Sequence, residues 1–114
     1  MSEEEAISKF GRNNLQIYHQ PFIPLEWNFL EEREEQMCYS KIIVKKDTQK
    51  VLGFHYVGPD AGEVMVGYGV ALRMGATYAD LLHTVGIHPT NAEELVNLKL
   101  TKEETGNEIT LEQC

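Results

Sequence analysis

MCYSKIIVKKDTQKVLGFHYVG, residues 37–58, is the stretch that decides the fold of this chain. Two runs, MCYSKIIVKK and KVLGFHYVG, are rich in β-branched and aromatic residues and meet at the polar turn KDTQK. Such side chains fit a pleated surface, and a short polar turn between two such runs predicts an antiparallel hairpin. Upstream, LQIYHQPF sets Leu15, Ile17 and His19 against Gln16, Tyr18 and Gln20. That period of two predicts a further half-buried strand. Pro21 and Pro24 interrupt the pattern and place that strand at an edge or a bend. LEWNF alternates again, with Leu25, Trp27 and Phe29 on one side, and LEEREEQ (30–36) reads as a solvated charged turn. The first half therefore predicts an antiparallel sheet of three to five strands.

Helical signals lie on either side. SEEEAISKF opens with Ser2 as an N-cap candidate and acidic residues in the first turn, and stops near Gly11. PDAGEVMVGYGVALRMG predicts a longer helix, with Asp60 as N-cap and Gly75 as its stop. Its apolar residues go all round, so it should be covered on more than one side, once by the sheet and once by another chain or domain. Gly67 and Gly69 each cost roughly 1 kcal/mol of helix propensity relative to Ala, which close packing against that backbone would explain. TYADLLHTVG is a short helix capped by Thr77, and TNAEELVNLKL another capped by Thr90. TKEETGNEITLEQC, residues 101–114, is polar and aperiodic and is expected to be a mobile tail. Strands first and helices after give an α+β fold, with helices packed on one face of the sheet.

The 114 residues suffice for one domain, and a composition of 42% hydrophobic and 25% charged residues supports a packed core. A net charge of -8 excludes a sequence-blind nucleic-acid binder and an anionic membrane surface as partners. No apolar run approaches the roughly 20 residues needed to span a bilayer. Met1 to Glu5 is acidic, unlike the start of a secretory signal. Cysteine is sparse: Cys38 lies in a strand pattern as a buried thiol, and Cys114 ends the chain. A reducing compartment follows, cytoplasmic in first expectation and mitochondrial as the alternative.

The chain carries no dinucleotide-binding or Walker glycine loop, no C-x-x-C and no metal-spaced cluster. His19, His55 and His83 read as packed or surface residues. His88 differs, because Pro89 disfavours helical geometry at the residue before it and lets the imidazole project beyond the helix start. Thr90-x-x-Glu93 is a capping-box pattern, which gives Glu93 a purely local task. The other reading turns Glu93 toward His88, fixing the tautomer and making the imidazole a better general base. Both readings stand on spacing alone. A His–Glu pair would also need a nucleophile, and residues 1–113 supply none.

GIHPTNAEEL resembles the helix entrance near the C-terminus of the flavin-dependent disulfide reductases, the group of glutathione and thioredoxin reductases. IYHQPFIPLEW, CYSKIIV, VLGFHYVGPDAGEVMVGYGVALRMGAT and TVGIHPTNAEELVNLKLTKEETG follow the same family in order, and together they cover nearly the whole chain. PLEW, the CYSK strand and the polar extension past Leu100 are most similar to the animal high-molecular-weight thioredoxin reductases. The resemblance implies that residues 1–100 form the interface, or dimerisation, domain of such an enzyme. The FAD and NADPH domains would precede it and are absent from this chain, so no cofactor is expected on the chain alone. By the same resemblance His88 and Glu93 act as acid and base on the redox dithiol of a second identical subunit. The long apolar helix then meets that subunit, with Val64, Gly67, Tyr68 and Ala71 as interface candidates. Cys114 falls near the cysteine of the family's redox tail, although Gln113 stands where the family has glycine. Thioredoxin would be the substrate of the full enzyme, and the isolated chain would be inactive. The alternatives are the same domain of a glutathione reductase, or a free-standing dimerising module without catalysis.

Overall fold

A computed structural model describes residues 1–29 and 36–106 of the chain. Its centre is a three-stranded antiparallel sheet in the order β1 (Leu15–Phe22), β2 (Cys38–Lys45), β3 (Val51–Val57). The hairpin pairs Tyr39 with Val57 and Ile42 with Phe54, and slips by a bulge between Ile43 and Val44. Ile17 pairs with Ile43, and Tyr18 with Ile42, across the other seam. Because side chains alternate, this register sends Ile42 and Val44 to one face and Ile43 with Ile17 and Leu15 to the other. Pro21 is tolerated because β1 is an outer strand, as the sequence requires.

Both faces are covered. α1 (Glu3–Phe10) starts with the Ser2–Glu5 capping box and seats Ala6 against Leu15, Ile17 and Ile43. The opposite face holds the larger core: Ile42, Val44, Val51, Tyr78, Leu81, Leu95, Val96 and Leu98. Full burial of each large aliphatic side chain contributes about 1.5–3 kcal/mol. α2 (Ala61–Met74) and α3 (Tyr78–Leu82) close that side, so the main helices share one face while α1 takes the other. Tyr18 and Tyr78 stack with centroids 4.0 Å apart and planes 10° from parallel, tying β1 to α3. Tyr78 Oη then donates to the Leu98 carbonyl at 2.6 Å.

Several local expectations give way to tertiary structure. Leu25–Phe29 is a 3₁₀ turn rather than a strand, with Trp27 N–H donating to the Pro24 carbonyl at 2.9 Å. The alternation of three apolar residues could not overcome the turn that Pro24 starts. The helix expected from Thr90 onward is only a 3₁₀ turn, Asn91–Leu95. Its last residue Leu95, with Val96 and Leu98 beyond it, reaches the core, which a continuous helix on this surface would not allow. Asp60 stands at the N-cap of α2 but in the left-handed region (φ 54°), without a side-chain cap bond. Gly75 closes α2 with φ 86°, the left-handed cap that glycine adopts at no steric cost.

The tail expected to be mobile from residue 101 is instead docked as far as it is described. Thr101 and Glu104 form a capping box on the short helix α4 (Lys102–Thr105), and Thr101 bridges Tyr18 on the free edge of β1. Residues 107–114, with the Cys114 expectation, lie outside the described residues, as does the charged turn except Gln36. Among the described residues no helix is long and apolar enough to cross a membrane.

Candidate functional site

The loop between α3 and the Asn91–Leu95 turn carries the site. Leu81 on one side and Leu95 and Val96 on the other are buried, so both ends of the loop are fixed in the core. Between them Val85, Ile87 and His88 are exposed. His88 precedes Pro89 through a cis peptide bond.

The structure brings His88 and Glu93 together. His88 Nδ1 lies 2.9 Å from Glu93 Oε1. The same oxygen accepts the Thr90 backbone N–H at 3.2 Å. The two sequence readings are therefore compatible: one carboxylate serves the turn and the imidazole at once. Exposure separates the partners, with the His88 side chain 71% accessible and that of Glu93 13%. A carboxylate that is held, and mostly out of water, orients the imidazole more firmly than an exposed one, because its own rotamers are restricted. With Nδ1 bound to Glu93, Nε2 is the nitrogen left to exchange protons.

Four neighbours place Glu93. Tyr68 of α2 donates its hydroxyl to the carbonyl of Ala92, the preceding residue, at 2.7 Å. Burial pushes the Tyr68 hydroxyl up to about 12, so it stays a donor. Gly86 lets the loop lie against the turn, since a Cβ there would stand 2.7 Å from Glu93 Cβ. The Glu93 carbonyl accepts from Val96 N–H at 3.0 Å and Asn97 N–H at 3.1 Å. Glu94 lies beside the pair, its carboxyl raised by burial first and by the Glu93 charge second. Tyr68 entered the sequence reading for another reason, and Glu94 and Gly86 not at all. The adjacent acidic pair and the glycine before Ile-His-Pro were the only signals.

The four interface candidates separate. Val64 and Tyr68 pack against the chain's own core, Ala71 is half-buried and Gly67 is exposed. Facing outward are Val66, Val70 and Met74, four residues apart, at 68%, 57% and 83% exposure. Among the described residues nothing beyond the helix's own backbone approaches within 4 Å of a Cβ built at Gly67 or Gly69, so no close packing among those residues explains these glycines. The other histidines lie elsewhere: His19 is buried at β1 and His55 Nε2–H donates to the Met1 carbonyl at 3.2 Å. Among the described residues the one cysteine, Cys38, is buried and reduced, its thiol pushed up by burial and by Glu26. Nor does any group of three His, Cys, Asp or Glu among these residues suit a metal ion.

Comparison with known proteins places this geometry in context. Residues 1–99 match the model of the pyridine nucleotide-disulphide oxidoreductase dimerisation domain. Over 103 residues the chain is 48% identical to Thioredoxin reductase SEP1 of Emiliania huxleyi, which covers 90% of this chain. The chain spans only 21% of the length of that curated relative.

Proposed function

The chain belongs to the dimerisation-domain family of the pyridine nucleotide-disulphide oxidoreductases, and from that premise we propose that it serves an NADPH- and FAD-dependent thioredoxin reductase. In that enzyme it would pair with a second identical subunit and present His88 and Glu93 to the partner's redox dithiol. The observation that carries this reading is the His88–Glu93 contact of 2.9 Å on an exposed, rigidly anchored loop.

The chemistry follows from the geometry. His88 Nε2 would take the proton of one thiol as its sulfur attacks a disulfide. The sulfur–sulfur bond under attack breaks, and its leaving sulfur takes the proton back from the imidazolium. The second thiol then displaces the mixed disulfide. The dithiol is oxidised to a disulfide, the incoming disulfide is reduced to two thiols, and two electrons have moved. Glu93 stabilises the imidazolium and keeps Nε2 aimed outward.

Neither FAD nor NADPH is expected on this chain by itself. It has no glycine-rich phosphate turn, and the His–Glu pair stands on an open surface. Both cofactors would belong to the rest of the full-length protein, and the chain alone would be inactive. The tail reading of Cys114 as a redox cysteine rests on position in the sequence. A cytoplasmic or mitochondrial setting fits the sparse cysteines.

Dimer contact would be made by the outward stripe of α2, with Gly67 and Ala71 beside it. Three exposed apolar residues at helical spacing are costly on a free monomer and suit a partner helix. That stripe equally suits a free-standing dimerising module. The two are told apart by whether the full-length protein carries flavin and NADPH domains and reduces disulfides with NADPH, which the module reading does not allow; His88→Gln in that protein then tests the pair. A drop in NADPH-dependent disulfide reduction of about 10²-fold is expected for a lost general acid–base. An unchanged rate would leave Glu93 as a cap of the Asn91–Leu95 turn and remove the acid–base reading of the pair.

A further inference from the structure

β1 is an outer strand, and residues 100–105 cover its free edge. The Leu100 carbonyl accepts the His19 N–H at 3.0 Å. Glu103 receives Arg12 at 3.0 Å and Gln16 at 2.8 Å. Lys102 Nζ reaches Glu3 Oε2 at 2.9 Å. At the middle of these contacts lies the His19 ring, with the residue only 3% exposed. Its Nδ1 is 2.9 Å from Tyr39 Oη and its Nε2 is 2.6 Å from Thr105 Oγ1.

One arrangement of protons satisfies every member. A hydroxyl has one proton, and Thr105 Oγ1 donates its own to the Thr101 carbonyl at 3.1 Å. It must then accept from Nε2–H. Nδ1 is left as an acceptor, and Tyr39 Oη–H is its donor. Burial raises the Tyr39 hydroxyl, which keeps it protonated and able to donate. The charged groups around the ring come from three elements: Glu3 of α1, Lys41 of β2 directly across the ladder, and Lys102 of α4. Glu3 is already shared by both lysines, at 3.0 Å and 2.9 Å.

We propose that His19 is a proton-sensitive latch: its neutral, Nε2-protonated ring docks residues 100–105 on β1, and protonation at Nδ1 releases them. A second ring proton would oblige the Tyr39 hydroxyl to turn and accept from Nδ1–H, and would place a charge in a site only 3% exposed. It would also set a third cation beside Lys41 and Lys102. Burial first, and the Lys102 charge second, hold the His19 ring below the usual histidine range. The docked state therefore prefers the neutral ring. Docking is complete above about pH 6.5 and weakens as pH falls from there toward the lowered value. Glu3 titrates separately, below its ordinary 4.5, because the two lysines outweigh the upward push of its burial. None of the latch's members touches His88 or Glu93, and the inference stands whether or not that pair is catalytic.

Amide hydrogen exchange on the full 114-residue chain tests this, read at the His19 N–H, whose acceptor is Leu100. Rates are normalised to intrinsic exchange and compared with Ile42 and Ile43 in the central strand. Between about pH 7 and about pH 5 the relative protection at His19 should fall about tenfold or more in the wild type. In His19→Gln, which does not titrate, the ratio should stay flat. Thr105→Val should lower it about tenfold already at pH 7, since one hydrogen bond is lost and its partner stranded. Nitrogen-15 spectra of the wild-type ring should show the Nε2–H tautomer, a readout that survives any folding defect in the variants. A flat wild-type profile, a His19→Gln profile that follows the wild type, or an Nδ1–H tautomer would each overturn the latch.

Discussion

His19 and His88 make a natural contrast. Each is a histidine hydrogen-bonded through Nδ1, His19 within strand β1 and His88 in the loop after α3. His19 is buried with both ring nitrogens engaged, while His88 is exposed with one nitrogen held by a carboxylate. The difference lies in what remains available. A ring with both nitrogens satisfied in a dry site fastens structure, and any proton it takes puts a charge where little water can reach it. A ring oriented at one nitrogen and open at the other can pass a proton without unmaking its surroundings. Chemistry should follow the second kind of site and stability the first.

Exchanging the roles of the two histidines by mutation is the most direct way to break this contrast. His88→Gln in the full-length protein should slow disulfide reduction about 10²-fold and leave the melting temperature nearly unchanged. His19→Leu should do the reverse, costing about 2 kcal/mol by stranding two hydroxyls, with no comparable loss of rate. Thermal unfolding and steady-state turnover on the same samples decide it, and a large rate loss from His19→Leu would remove the distinction. Next in size is Glu3→Gln, which leaves Lys41 and Lys102 facing each other and should cost about 1.5–2 kcal/mol in chemical denaturation. Because the folded Glu3 carboxyl is lowered, that contribution is present above the ordinary 4.5 and disappears as pH falls below it. The wild type and the variant should therefore converge in stability in acid. Smallest is Tyr68→Phe, which keeps the ring but removes the clamp on the Ala92 carbonyl, for about 1 kcal/mol. Its value is in sharpening the comparison: if Tyr68 aims Glu93, kcat should fall while KM holds, and a pure stability loss would assign it to the core alone.

How much of this was legible in the sequence depends on the distance over which residues act. The hairpin, the Ser2 and Thr77 caps and the Gly75 stop all came out as read, since each is settled within a few neighbours. The His88–Glu93 pair lies five residues apart, close enough for spacing to nominate it. Where local pattern and core burial competed, burial won. Leu25–Phe29 alternates like a strand yet turns, and the segment after Thr90 gives up a helix to bury Leu95, Val96 and Leu98. In α2 the apolar pattern went all round, so the residue string held no information about which side would face out. The sheet settled that by taking Val64, Met65, Tyr68 and Leu72.

By itself, then, the sequence determined the elements whose causes are short-range: strand alternation, capping residues, and a histidine held at a turn beside a carboxylate. It also carried the family, through a collinear match across most of the chain. Only the tertiary structure decided what depends on distant partners. Thr105 meets His19 from 86 residues away and Lys102 meets Glu3 from 99. Those contacts turned an aperiodic polar stretch into a docked edge. No window of neighbouring residues encodes such pairs, because their free energy appears only once the sheet has brought both ends of the chain to one strand.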